Sequence, residues 1–315
     1  AMLLSIAWYA LFTALCAVAQ NYAQLAALRT LEGLGFGGEW AVGAVLAAEW
    51  SSPARRGRNL ALMQGTWAIG WLAANVAFQV VATTDHAHNA WRVLFALGVL
   101  PPRAKPARAT GIALADIFRG RLGRRTLFAT MLAIGVQSGY YALFTWMPSY
   151  LTLQRGLPAL GAGTYLYALI GGSLTGYVSA GVLNDALGRR ATFILFSVCS
   201  IVMVPLYLAF VTANWELVPA GVLLGYFSSG IFSGFGPLLS ELFPSAVRAS
   251  AQGFCYNVGR GAAGAAPYVV GVLAARLPIG VAMIAVAVVA YGVAIVAAIA
   301  LPETKGQPLE EPSLA

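Results

Sequence analysis

Gly181-Val182-Leu183-Asn184-Asp185-Ala186-Leu187-Gly188-Arg189-Arg190 joins two apolar runs, near 163–184 and 191–212. Each run is about as long as a helix must be to cross a hydrocarbon slab of roughly 30 Å with all its backbone groups bonded internally. The charged insert therefore reads as a short loop between two membrane-spanning helices of opposite direction. Its paired arginines mark the side of the bilayer on which the loop lies.

Similar apolar runs recur near 2–20, 27–50, 59–82, 126–152, 216–243, 249–275 and 279–301, which makes nine spans. A tenth, 91–100, reaches only about half a membrane thickness before Pro101-Pro102 breaks it. Residues are expected to be missing after it. The composition agrees: 59% of the 315 residues are hydrophobic, 10% are charged and the mean hydropathy is +0.75. That leaves too little polar surface to cover a soluble globule. The fold class is an all-α polytopic membrane protein held in a lipid bilayer.

The net charge of +8 does not indicate nucleic acid, because the basic residues are confined to short segments between spans. When successive spans alternate direction, one side collects Arg55, Arg56, Arg58, Arg103, Lys105, Arg108, Arg119, Arg121, Arg124, Arg125, Arg189, Arg190, Arg248 and Lys305. The other receives only Arg29, Arg92, Arg155 and Arg276. The richer side is expected to be cytoplasmic. Cys16, Cys199 and Cys255 lie inside apolar spans and form no disulfide framework. Asp85, His86 and His88 share one short loop, which is weak ground for a metal site.

A self-comparison divides the chain in two. Gly33, Gly38 and Glu49 match Gly225, Gly230 and Glu241 at a constant offset of 192 residues. Both halves continue alike, through Pro53 and Arg56 in one and Pro244 and Arg248 in the other, and enter the next span through Gln64-Gly65 and Gln252-Gly253. Two homologous halves are implied. The expected domains are 1–100, a partial N-terminal half, 101–125, a central cytoplasmic linker with a short interfacial helix near 113–118, and 126–315, the C-terminal half.

The Gly-x-Leu-x-Asp-x-x-Gly-Arg-Arg pattern resembles the signature loop of the major facilitator superfamily. Pro302-Glu303-Thr304-Lys305-Gly306 resembles the segment that closes the last helix in its sugar-porter and metabolite-symporter branches. The resemblance implies two six-helix halves that rock about a site near the bilayer midplane. On that scheme the chain holds helices 3 to 5, part of helix 6, and helices 7 to 12, with helices 1 and 2 absent. Gly35-Phe36-Gly37-Gly38-Glu39-Trp40 and the run from Gln252 to Arg260 are similar to proton-coupled organic-acid branches, which carry lactate, sialate and aromatic acids.

Candidate residues follow from position and charge. Gly181, Asp185, Gly188, Arg189 and Arg190 are expected to form an inward gate, with Asp185 at a helix N-terminus and Arg189 paired to Glu241. Glu49 with Arg56, and Glu241 with Arg248, are the expected repeat-related pairs. Glu39 lies deep in an apolar span and is the proton-coupling candidate, since an ionisable group there costs at least about 2.5 kcal/mol and is functional by default. Arg260 is the one basic residue well inside a span, and its planar fork suits capture of a carboxylate. Gln64, Trp67, Gln137, Tyr140 and Asn257 complete the expected substrate-binding set, with Asn75, Tyr141, Trp146 and Tyr256 nearby.

The resulting expectation is a multi-pass secondary transporter of a bacterial inner or plasma membrane that acts as a monomer on a small-molecule substrate and protons. It needs no cofactor beyond a proton gradient, and its linker and C-terminus are cytoplasmic. Import of an organic acid is favoured, because Arg260 suits an anion. A sugar or neutral-metabolite symporter, an efflux antiporter and a non-transporting receptor or remnant are the alternatives. No paired catalytic carboxylates or buried histidine set point to an enzyme.

Overall fold

The computed structural model describes residues 2–83, 90–98, 114–307 and 309. The side chains of residues 2–5, 34–39, 41, 42, 82, 90, 97, 114, 115 and 159 lie outside that description. The described residues form helices joined by short turns: α1 (Met2–Ala17), α2 (Tyr22–Glu49), α3 (Arg56–Ala82), α4 (Ala90–Leu97), α5 (Gly120–Phe144), α6 (Met147–Ser149), α7 (Ala159–Leu187), α8 (Arg189–Pro205), α9 (Leu217–Gly230), α10 (Phe235–Leu242), α11 (Arg248–Ala263), α12 (Ala265–Ala274) and α13 (Ile279–Ala300).

Among the described residues, five stretches are long and apolar enough to cross a membrane by length and composition: Gly120–Gln154, Leu160–Leu187, Arg189–Phe210, Asn214–Leu242 and Ile279–Ala300. Helices α2 and α3, and α11 continued by α12, have the length but carry more polar side chains. Those helices supply much of the polar chemistry of the site.

Small residues bring the helices together, as expected where lipid tails offer no hydrophobic incentive for association. A Cβ placed on Gly225 of α9 would overlap the Leu169 carbonyl of α7, and one on Gly172 would overlap the Val222 carbonyl. Gly135 lets α5 reach α13, where a Cβ would stand 2.7 Å from the Ala290 carbonyl oxygen. Gly188 ends α7 and precedes α8 at φ 107°, a conformation that favours glycine.

Two boundaries differ from the sequence expectation. Helix α5 begins at Gly120, so residues 120–125 are helix and not linker. Their arginines are compatible with helix because they lie in its first turns, and Arg125 Nη1 donates to the Leu242 carbonyl at 2.9 Å. The expected interfacial helix appears only as a 3-10 turn, Leu114–Phe118. It packs inward, with Ile117 fully buried and its carbonyl accepting from Thr126 Oγ1 at 2.7 Å.

Candidate functional site

Charged residues gather at the arginine-rich end, where α2, α3, α7, α8 and α10 meet the segment after α13. Glu241, at the end of α10, is completely buried together with Arg56 and Arg189. Arg56 Nη1 donates to its Oε1 at 2.9 Å. Arg189 holds both oxygens, with Nη2 to Oε1 at 2.9 Å and Nε to Oε2 at 3.1 Å. Arg189 also pairs with Asp185 at 3.0 Å. Two cations thus face two carboxylates, and this balance is what makes the burial tolerable.

Asp185 does a second job. Its Oδ1 accepts from the Gly57 N–H and its Oδ2 from the Arg58 N–H, each at 3.0 Å, so it occupies the N-terminus of α3. The free amides and the helix dipole both favour a carboxylate there. Gly181 and Gly57 permit the approach: a Cβ on Gly181 would overlap Ala61, and one on Gly57 would meet Asp185 Oδ1 at 2.5 Å. Asp185→Ala is expected to lower stability by about 1–2 kcal/mol, read as a lower thermal midpoint in detergent.

The arginines of the two repeats pair across the halves, which corrects the expected Glu49–Arg56 and Glu241–Arg248 pairs. Arg56 Nε donates to the Ala48 carbonyl at 3.4 Å, and Arg248 Nε to the Ser240 carbonyl at 2.9 Å, each eight residues back in its own half. The carboxylate of the next residue projects about 100° round the helix, toward the other half. Arg56 therefore meets Glu241, while Arg248 meets Glu49 at 3.4 Å.

The segment after α13 closes the cluster, a role that charge and spacing did not single out. Glu303 accepts the Arg189 and Arg190 N–H groups at 2.8 and 3.1 Å, at the start of α8. Thr304 Oγ1 donates to Glu241 Oε2 at 2.7 Å, and the Gln307 carbonyl accepts from Arg56 Nη1 at 3.2 Å. The recurrence of an acid opposite a helix start was the available signal.

Farther along the helices lies a cavity of about 960 Å³. Its walls include Tyr9, Arg29, Trp40, Gln64, Trp67, Trp71, Tyr140, Tyr141 and Phe144, so both repeats contribute. Gln64 and Trp71 stand about 12 and 22 Å along α3 from Arg56, at 1.5 Å per residue. Trp40 Nε1 donates to Gln64 Oε1 at 3.0 Å. The Trp40 ring stacks on Tyr256 of α11 at 3.7 Å and 14°, and the Arg260 guanidinium lies 5.0 Å from the same tyrosine ring. Tyr140 stacks on Phe144 at 4.3 Å.

Of the expected substrate-binding residues, Gln64, Trp67 and Tyr140 line the cavity. Gln137, Asn257 and Arg260 are not among its lining side chains. Gln137 is buried and donates to the Tyr256 carbonyl at 3.0 Å, and Arg260 approaches the Tyr256 hydroxyl at 3.5 Å. Asn75 donates to the Gly163 carbonyl at 3.3 Å and Trp146 to the Pro267 carbonyl at 2.8 Å, tying helices together. The Glu39 side chain and the Asp85, His86 and His88 loop lie outside the described residues. Arg29, which lines the cavity, was missed as a site residue, because charge counting placed it in a loop. The signal was Asn21, whose side chain caps α2 at the Gln24 N–H and puts Arg29 inside the helix.

Comparison with known proteins agrees with this architecture. The family model described as Major Facilitator Superfamily matches residues 1–180, and that described as Sugar (and other) transporter matches 107–314. A probable 4-methylmuconolactone transporter of Cupriavidus pinatubonensis is 36% identical over 98% of this chain and 76% of its own. The cis,cis-muconate transport protein of Acinetobacter baylyi is 26% identical over 98% of this chain and 79% of its own. Among solved structures, the transporter FucP in the outward conformation superposes with a TM-score of 0.69 at 17% identity, covering 96% of this chain and 82% of that one. The duplicated halves, the signature loop in its ionic cluster and the matched family model together place this membrane chain in the Major Facilitator Superfamily of transporters.

Proposed function

We propose that the protein imports a small organic acid together with protons, by alternating access. The observation that carries this reading is the opposition of two features. The buried Arg56–Glu241 pair and the partly exposed Arg248–Glu49 pair join the halves at the arginine-rich end, and an aromatic cavity shared by both halves lies beyond them. Breaking the ion pairs would let the halves separate at that end, taken as cytoplasmic from the distribution of arginine and lysine.

The cavity wall suits a planar, unsaturated or aromatic carboxylate. Indole and phenol rings offer flat apolar faces, Arg29 supplies positive charge in the wall, and Arg260 stands 5.0 Å from Tyr256, the ring stacked on the wall residue Trp40. The named substrates of the relatives, 4-methylmuconolactone and cis,cis-muconate, fit this chemistry. Arg260 reaches the cavity by release from the Tyr256 ring, and Gln137 and Asn257 stand beside the same tyrosine as supporting groups. Glu39 on α2 is the proton carrier suggested by its depth in the span.

The test is counterflow of a labelled carboxylate in proteoliposomes. Arg260→Ala is expected to weaken half-saturation by about tenfold or more, as for loss of a charge-assisted hydrogen bond. Unchanged half-saturation in a variant of normal elution profile would contradict the reading.

A further inference from the structure

Trp40 lies where the two halves meet and makes a contact toward each. Its ring stacks on Tyr256 of α11 at 3.7 Å and 14°, while its Nε1–H donates to Gln64 Oε1 on α3 at 3.0 Å. Tyr256 is itself fixed: it is buried, its carbonyl accepts from Gln137 Nε2 at 3.0 Å, and the Arg260 guanidinium lies 5.0 Å from its ring. A stacked indole cannot tip out of its plane without giving up the ring contact, so the direction of its N–H is set from the opposite half.

The consequence falls on Gln64, which lines the cavity and is 9% exposed. A free carboxamide turns readily between two orientations, because its terminal torsion is broad and roughly two-fold. The two present opposite chemistry, an acceptor oxygen in one and two N–H donors in the other. An indole N–H is a donor only, so Trp40 admits the orientation with Oε1 toward itself and Nε2 turned away. The Tyr177 hydroxyl of α7 lies within hydrogen-bonding reach of the same amide and can accept one of the two Nε2 protons. The second proton is left for the cavity. Arg29, in the same wall, likewise carries donors and no acceptor.

We propose that Trp40 is a positioning residue for selectivity: it holds the Gln64 carboxamide with its donor side to the cavity, so that the site prefers a carboxylate over the carboxamide of the same shape. The assignment rests on the reading of the cavity as an organic-acid site. Either oxygen of a carboxylate accepts from Gln64 Nε2. A carboxamide ligand meets the same donor with its carbonyl in one orientation and with its own NH2 in the other, where two donors oppose each other. A Gln64 released from Trp40 turns its Oε1 to that NH2 and removes the opposition. Holding the amide therefore takes one way of binding from the carboxamide and none from the carboxylate.

The test is competition against counterflow of labelled cis,cis-muconate in proteoliposomes, with benzoate and nicotinate set against benzamide and nicotinamide. The unaltered protein is expected to take each acid in preference to its amide. Trp40→Phe keeps an aromatic ring on Tyr256 and removes the N–H, and the preference is expected to fall about fivefold, the worth of one hydrogen bond. Gln64→Met is expected to lower it by a similar factor, and Trp40→Phe added to Gln64→Met to lower it no further, because both act through one amide. If Trp40 served packing alone, the half-inhibiting concentrations of acid and amide would rise together. An unchanged ratio would overturn the assignment and leave the organic-acid reading standing, as would losses that add in the double variant. Should Trp40→Phe fail to fold, benzothienylalanine at position 40 keeps the indole shape with sulfur in place of the N–H and is expected to give the same fivefold fall. Acids and amides that compete equally, or not at all, in the unaltered protein would overturn the assignment together with the aromatic-acid reading of the cavity.

Discussion

Glu241→Gln is expected to abolish concentrative uptake and to open the arginine-rich end. Its carboxylate is the shared partner of Arg56, Arg189 and Thr304. A neutral amide keeps the shape but leaves the buried Arg56 without its counter-charge and Arg189 with Asp185 alone. Breaking a buried pair by removing one partner costs about 3–5 kcal/mol. On the proposed alternating-access cycle that cost falls on the closed arrangement, where Arg56 of one half meets Glu241 of the other. The closed population then falls by roughly a hundredfold or more. Spin labels at Trp50→Cys and Leu187→Cys, both exposed and near this end, would report the change. In a background lacking Cys16, Cys199 and Cys255, the label distance is expected to lengthen in Glu241→Gln. An unchanged distance distribution would mean that Glu241 does not hold the halves together.

Gly225→Leu is expected to damage the C-terminal half itself. The α7–α9 contact is made backbone to backbone: a Cβ on Gly225 overlaps the Leu169 carbonyl, and the reciprocal clash occurs between Gly172 and Val222. Rigid carbonyls cannot move aside as a side-chain end can, so the helices must separate. Overpacking of this kind costs about 3 kcal/mol or more. For a protein of this size that lowers the thermal midpoint by roughly 6–12 °C. Gly292→Ala is the control, because its Cβ would meet nothing within 4 Å. The control is expected to melt no earlier than the unaltered protein. Equal melting of all three proteins would show that the glycine contact is not limiting for stability.

Both predictions concern residues that were visible in the sequence for different reasons. The spans, the duplication and the acid–glycine–arginine loop are strong local patterns, and the helices α1 to α3 and α5 to α13 follow them closely. Glu241 with Arg189, and Asp185 at a helix start, were legible because one loop carries a complete set of complementary groups. The crossed Arg56–Glu241 and Arg248–Glu49 pairs were not, because a repeat reveals which residues correspond and not which half each side chain faces. Gln137 looked like a ligand-binding amide, yet its neighbour is a backbone carbonyl on α11, a contact that only tertiary packing defines. Arg29 of the cavity wall was hidden because charge counting had assigned it to a loop. Deciding the depth of α2 required the cap at Asn21.

The central claim is that the protein moves an organic acid inward at the expense of a proton gradient. Uptake of labelled cis,cis-muconate, benzoate and nicotinate into proteoliposomes, with and without an inward proton gradient, tests it most directly. The account predicts accumulation of at least one of these carboxylates above its external concentration, abolished by a protonophore. Uptake that only equilibrates, or that the gradient leaves unchanged for every carboxylate, would contradict it.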